Sequence, residues 1–346
     1  MAARAFITGL AGLSVSAGER AFLREAQPWG LIIFKRNVST ASQVIELAQT
    51  FRDIVGWEAP ILVDQEGGRV QRLGPPNWPA YPPGVLYGEL YDREPAAGVA
   101  AARLAGHLIA ADLRPLGIDV DCLPVADMPV VSGDPVIGDR AYGSEPGKVA
   151  AIAKAIAEGL QAGGVLPVLK HLPGHGRASA DSHYKLPVVD ADRATLEATD
   201  FAAFRPLAGL PLGMTAHVVF SAIDPVAPAT TSVTMVRQVI RGFIGFRGLL
   251  MSDDISMNAL SGPVAERSRA ALAAGCDVVL HCNGDMREMT DVAGETPKLS
   301  GDAAKRADAA LTARTAPEEF DTEAARRIFG QMVAGVQTSP QREIES

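Results

Sequence analysis

Short apolar runs recur along the chain, and stretches with helical spacing lie between them. The first run, Phe6 to Leu10, leads into a helix entered near Ser16 that continues through Glu19, Phe22 and Leu23. Gly30 to Phe34 is the second. Ser39 or Thr40 can cap the helix after it, whose Val44, Leu47, Ala48, Phe51, Ile54 and Val55 keep helical spacing. The third, Pro60 to Val63, ends in Asp64-Gln65-Glu66-Gly67-Gly68-Arg69 and a Pro-rich loop from Pro75 to Pro83. An Ala-rich helix from about Pro95 to Leu116 precedes the alternating segment Ile118 to Val125, the fourth predicted strand, which ends toward Asp127. A helix from Lys148 to Ala162 then leads into a fifth strand, Gly164 to Leu169. The sixth, seventh and eighth are Leu212 to Val218, Gly248 to Asp254 and Cys276 to Leu280. Helices over Arg193 to Leu207, Val233 to Ile244 and Val264 to Ala274 fill the intervals, and segments near Ala303 to Ala313 and Thr322 to Val336 precede a polar tail.

Eight buried runs alternating with helices have the periodicity of a (β/α)8 TIM barrel. An open doubly wound sheet fits less well. No G-x-G-x-x-G follows the first strand, and polar residues sit at the C-terminal end of nearly every run, where a barrel would gather them at one mouth. No Ser/Gly linker or repeat divides the chain, so residues 1–346 are expected to form one α/β barrel domain with C-terminal helices and a short polar tail. Composition agrees: 346 residues at 47% hydrophobic content can bury a core of that size. The net charge of −8, without a long basic run, leaves no electrostatic footprint for nucleic acid. No apolar run reaches the ~18 residues needed to span a membrane, so no membrane insertion is expected. Aromatic content of 5% marks no large exposed interface. Cys122, Cys276 and Cys282 read as core-filling thiols of a cytoplasmic protein. The N-terminus loosely imitates an export signal, but Thr8 and glycines interrupt it and the pattern runs on into a helix.

The chemistry concentrates in Lys170 to His183, KHLPGHGRASADSH, which holds half of the chain's 6 histidines. A purely connecting loop would not gather ionisable groups at a strand's end. The mouth would also collect Asp64 and Arg72, Asp127 and Arg140, His217, Asp253 or Asp254, and His281 or Asn283. Such a ring can hydrogen-bond a small polyhydroxylated ligand bidentately. Blander roles compete for several of these residues. Asp64 could cap its own turn, Arg140 could pair with Asp139 at the surface, and His175 could bond its loop's backbone. Pro173 and Gly174 make a helical zinc pair of His171 and His175 improbable. Asp253 and Asp254 point to opposite sides of a strand, so only one should face the mouth while the other ties down a loop.

VDQEGGRVQRL (63–73), PVIGDRAYG (135–143), KHLPGHG (170–176), DSH (181–183), MTAHVVF (214–220), MSDDISM (251–257) and ALAAGCDVVLHCN (271–283) together resemble the bacterial β-N-acetylhexosaminidases of glycoside hydrolase family 3, the NagZ type. The resemblance runs from about residue 5 to residue 290. It implies a retaining mechanism through a covalent glycosyl intermediate, with Asp253 as nucleophile and His183, assisted by Asp181, as acid/base. It assigns sugar contacts to Asp64, Arg72, Arg140, Lys170 and His171, with His217 in a matching motif. No metal and no cofactor are expected. The implied substrate is a terminal β-linked N-acetylglucosamine, carried on anhydro-muropeptides in peptidoglycan recycling. Because Asp181 and His183 sit in a Gly-containing loop, that loop is expected to move on substrate binding. Three alternatives stay open: a phosphorylase using the same residues, a metal-dependent barrel hydrolase using His171 and His175, and a non-catalytic sugar-binding barrel.

Overall fold

The computed structural model describes residues 3–130, 133–178, 180–182, 184–334 and 336. The expected polar tail lies outside them. Eight strands close a parallel barrel: β1 Arg4–Thr8, β2 Pro28–Ile33, β3 Ile61–Val63, β4 Val120–Asp121, β5 Leu166–Leu172, β6 Leu212–Thr215, β7 Leu249–Asp254 and β8 Val278–His281. Each pairs with the next in the chain, and β8 returns to β1 through Phe6↔Val279 and Thr8↔His281.

Side-chain alternation divides the core in two. Ile7, Ile32, Leu62, Val120, Leu166, Val168, Leu212, Met214, Leu249, Met251, Val278 and Leu280 form one cluster, the barrel interior. Their strand neighbours Phe6, Leu31, Ile33, Ile61, Val63, Leu169, Leu250 and Val279 pack outward with the helices. A period of two along each strand is the cause.

The first helix, Ala17–Ala26, begins at Ser16, whose hydroxyl accepts from the Glu19 N–H while the Glu19 carboxylate accepts from the Ser16 N–H. The Ala-rich helix Pro95–Leu113 lies against Pro146–Ala162. Gly106 and Gly159 permit that approach: a Cβ at either would fall within 2.3 or 2.1 Å of a carbonyl oxygen of the facing helix. By length and composition Pro95–Leu116 would suffice to cross a bilayer, contrary to the expectation from its sequence, but half of that stretch is buried in the protein.

Several predicted elements differ from those observed. The long fourth strand shrinks to Val120–Asp121, with an isolated bridge from Val125 to Lys170, because Pro124 interrupts the run and has no N–H to offer. Strand β5 instead runs on to Leu172, so Lys170 and His171 belong to the strand and not to the loop after it. The helix expected over Arg193 to Leu207 breaks at Thr199 into Arg193–Ala198 and Asp200–Phe204. Met235–Phe243 winds as a π-helix. Helices Gly84–Arg93 and Met286–Glu295 were not anticipated.

Candidate active site

The interior face of three strands delivers the site. Leu62, Leu166 with Val168, and Leu249 with Met251 point inward. The next positions of the same parity are Asp64, Lys170 and Asp253, all at the C-terminal mouth. They line a cavity of about 250 Å³ together with Phe34, Glu66, Arg72, Arg140, His171 and His175. That is smaller than the roughly 300–1,000 Å³ of sites for drug-sized ligands.

One wall is an ionic lattice. Asp64 accepts from Lys170 Nζ at 2.9 Å and from Arg72 at 2.9 Å. Glu66 takes the Arg140 guanidinium bidentately, both contacts at 2.8 Å, and also meets Lys170 Nζ at 2.6 Å. Burial pushes both carboxyls up, but the adjoining cations outweigh it and hold them well below the usual range. Desolvation likewise opposes the charge on Lys170, and Asp64 and Glu66 overcome it, so the ammonium stays protonated. Gln65 braces the lattice from behind. Its backbone N–H donates to buried Asp121 at 2.9 Å, while its side chain accepts from the Arg72 and Leu73 N–H groups and donates to the Leu73 carbonyl. The Arg72 guanidinium also lies 4.8 Å from the Phe34 ring centroid.

A second part of the wall is built on Asp127. Its carboxylate accepts from the His171 ring at 2.6 Å and from the His175 N–H at 2.7 Å. The peptide between Lys170 and His171 is cis, and both side chains line the cavity. His175 is buried and its Nε2 meets the Ser182 hydroxyl at 3.0 Å; burial, with His171 beside it, lowers its pKa to about 4.

Asp253 accepts from the Asp254 N–H at 2.8 Å. Burial favours its neutral form, but the His217 and His171 rings, that N–H and Lys170 prevail and keep the carboxylate ionised. Asp254 also lines the cavity, so parity alone does not turn it away. Its oxygens are nonetheless engaged by the Ser256 N–H and hydroxyl and by the Cys282 N–H, which ties the end of β7 to the end of β8.

The structure thus brings together Asp64, Arg72, Arg140, Lys170, His171, Asp181 and Asp253 around one cavity. His183 lies outside the described residues. His217 does not line the cavity. It stands just beyond the end of β6, fully buried, with Nδ1 on the Thr230 hydroxyl and Nε2 on the Asp254 carbonyl. Arg140 pairs with Glu66, and Asp139 pairs instead with Arg69. His175 bonds a side chain, Ser182, where its loop's backbone had been expected. Sequence reasoning missed Glu66 as a site residue, although it stands two positions from Asp64 and therefore shares its face. Cys122, Cys276 and Cys282 are all buried free thiols. Among the described residues no group of three or more His, Cys, Asp or Glu is arranged to hold a metal ion.

A small polar cavity at a barrel mouth, with paired cations and carboxylates and an ionised aspartate at the end of a strand, suits a barrel glycosidase. The chain belongs to glycoside hydrolase family 3, whose "Glycosyl hydrolase family 3 N terminal domain" matches residues 7–312, and it is a glycoside hydrolase of the β-hexosaminidase, NagZ type. A β-hexosaminidase of Alkalilimnicola ehrlichii is 42% identical over 281 residues, covering 80% of this chain and 79% of that one. One from Bordetella avium is 35% identical over 336 residues, 94% and 95% of the two chains. The crystal structure of NagZ from Neisseria gonorrhoeae in complex with N-trifluoroacetyl-D-glucosamine superposes with a TM-score of 0.83 at 30% identity, over 98% of this chain and 99% of that one.

Proposed function

We propose that the protein is a retaining β-N-acetylglucosaminidase that removes a terminal β-linked N-acetylglucosamine through a covalent glycosyl-aspartate. The observation that carries this reading is the place of Asp253, half-buried and ionised, lining one small cavity with Asp64, Lys170 and Glu66. In the first step an Asp253 oxygen attacks the anomeric carbon, and the bond to the leaving oxygen breaks as that oxygen takes a proton from His183. Asp181 orients the imidazole and stabilises its charged form. In the second step His183 takes a proton from water, the water oxygen attacks the anomeric carbon, and Asp253 departs as a carboxylate. Asp64, Arg72, Arg140, Lys170 and His171 hold the sugar hydroxyls, and His217 acts from behind by fixing the Asp254 carbonyl.

The test is mass spectrometry of the intact protein after incubation with a 5-fluoro N-acetylglucosaminyl fluoride, beside an Asp253→Ala control. One glycosyl adduct on Asp253, absent from the control, is the expected result. An adduct on Asp254 would overturn the choice of residue. Cleavage of an ordinary glycoside with no adduct would overturn the covalent mechanism. The likeness to NagZ bound to N-trifluoroacetyl-D-glucosamine supports the N-acetylglucosaminyl part. N-acetylglucosaminyl anhydro-muropeptides as natural substrate, with a cytoplasmic role in peptidoglycan recycling, are proposed on the sequence resemblance. Failure to release N-acetylglucosamine from such a muropeptide, by an enzyme active on simple glycosides, would remove that assignment.

A further inference from the structure

The segment that carries Asp181 touches the body of the protein at one deeply buried side chain. Between Ala180 and Lys185, Ser182 alone among the described residues is buried, at 2% exposure, while Tyr184 is 80% exposed. Ser182 is gripped twice. Its hydroxyl meets His175 Nε2 at 3.0 Å, and its carbonyl accepts from the Ala259 N–H at 3.1 Å. The turn around it is closed on itself, because the N–H groups of Tyr184 and Lys185 both donate to the Asp181 carbonyl at 3.0 Å. Whatever fixes Ser182 therefore fixes the backbone of Asp181.

His175 is a stiff support for that purpose. Its N–H donates to Asp127 at 2.7 Å, its carbonyl accepts from the Ala178 N–H at 3.0 Å, and neighbouring Gly176 is pressed on Met128 so closely that a Cβ would fall 2.2 Å from the Met128 carbonyl oxygen. The ring is buried, yet among the described residues Nδ1 has no hydrogen-bond partner and Nε2 makes the ring's one hydrogen bond. A buried histidine that spends its only bond on a serine of the next turn is costly as mere core filling. Ala259, in turn, belongs to the loop leaving β7, the strand that carries Asp253.

We infer that His175 and Ser182 are positioning residues that seat Asp181 and its turn over the cavity, through a hydrogen bond that couples the Asp127 wall to the acid/base segment. The inference rests on the reading of Asp181 as a member of the acid/base dyad. The bond is neutral on both sides. Since burial holds the ring's pKa at about 4, the contact persists through the pH range in which a histidine acid/base works.

The test compares kcat/KM, which reports the first bond-breaking step, on two N-acetylglucosaminides. One has a dinitrophenyl leaving group, which departs without a proton; the other has an alkyl leaving group, which needs one. Ser182→Ala and His175→Ala are each expected to lose about 10–100-fold on the alkyl glycoside and several-fold at most on the dinitrophenyl one. Ser182→Thr and His175→Gln, which keep a hydroxyl or a side-chain nitrogen in reach, should recover most of the loss. Azide should raise kcat of the alanine variants on the dinitrophenyl substrate, because it attacks the intermediate without a base. Equal losses on both substrates, or no loss on either, would overturn the positioning role. Asp181→Asn, measured in parallel, separates the two failures. If that variant shows no dependence on the leaving group, the acid/base reading fails and takes the inference with it. If it does and the Ser182 and His175 variants do not, only the inference falls.

Discussion

Glu66 is the residue on which the ionic wall of the cavity depends most. It is 4% exposed and fronts two buried cations, Arg140 and Lys170, while Asp64 fronts Lys170 and Arg72. Glu66→Gln keeps the volume and one acceptor but leaves three cations facing a single carboxylate. Breaking a buried ion pair from one side costs about 3–5 kcal/mol. The variant should lose stability on that scale in a denaturant titration, and its KM should rise about tenfold or more as Arg140 and Lys170 lose their fixed places. An unchanged KM would mean that the two cations are placed without Glu66. The sequence marked Asp64, Arg72, Arg140 and Lys170 because strand ends in a barrel converge. It did not mark their pairings, since partners such as Glu66 and Arg140 are 74 positions apart.

His175 also sets a pH dependence. Its folded pKa of about 4 lies below the ~6.5 of an unfolded histidine, so the unfolded chain binds a proton that the folded one refuses. Stability must then fall as pH drops from about 6.5 toward 4, by an amount on the order of a few kcal/mol. The groups facing the ring are His171, which opposes its charge, and Asp127 and Asp253, which favour it. Asp64 and Glu66 act in the same direction at lower pH. Their depressed carboxyls contribute stability that is whole above about pH 4 and is lost as pH falls through the folded values. Melting temperature measured against pH should therefore slope between 4 and 6.5 in the wild type and slope less steeply in His175→Gln, where His217 and His107, lowered likewise by burial, still contribute. Parallel curves for the two proteins would contradict this account.

At the scale of elements, one of the unanticipated helices supports the site. Gly84–Arg93 begins with its first residue against the Arg140 backbone, where a Cβ would come 2.1 Å from the Arg140 carbonyl oxygen. Gly88 repeats the fit one turn later, with a Cβ 2.0 Å from the Tyr142 carbonyl oxygen. This helix holds the Arg140 segment against the barrel mouth, so Gly84→Ala must displace one or the other. Overpacking of this kind costs about 1–3 kcal/mol. A lowered melting temperature together with a raised KM is the expected signature; a stability loss with KM unchanged would show that the helix shifts and Arg140 does not. The helix was hidden in the sequence because prolines precede it and two glycines interrupt its pattern, features that ordinarily mark a loop. Here the glycines serve close approach. Strand β5 misled in the opposite way: Lys170 and His171 look like the start of a polar loop, yet the ionic lattice supplies the partners that let β5 continue to Leu172.

For the molecule as a whole, the two ends of the barrel divide the work. The C-terminal mouth holds the cavity, and the N-terminal face is closed by the segment that follows β8. That segment begins with Ala5 donating to the Pro297 carbonyl and Leu299 donating to the Ala3 carbonyl, both at the foot of β1. Helix Gly301–Thr312 then places Arg306 on Asp277 at the foot of β8, and Arg314 reaches Asp119 at the foot of β4. The two aspartates are buried hubs. Asp277 also accepts from Arg241 and from the Leu250 N–H, and Asp119 from Arg52 and the Ile61 N–H. Residues 297–314 thus strap strands that lie on opposite sides of the barrel. In a barrel of this kind the lower face sets stability and the upper face sets chemistry. Asp277→Ala would strand two arginines and a buried N–H, at a cost of about 3–5 kcal/mol, while leaving every cavity residue in place. Its melting temperature should fall by several degrees, and kcat/KM at 25 °C should stay within about twofold of the wild type. A large fall in kcat/KM while the protein remains folded would mean that strain at the foot of β7 and β8 is transmitted to Asp253, and that the two ends of the barrel are not independent.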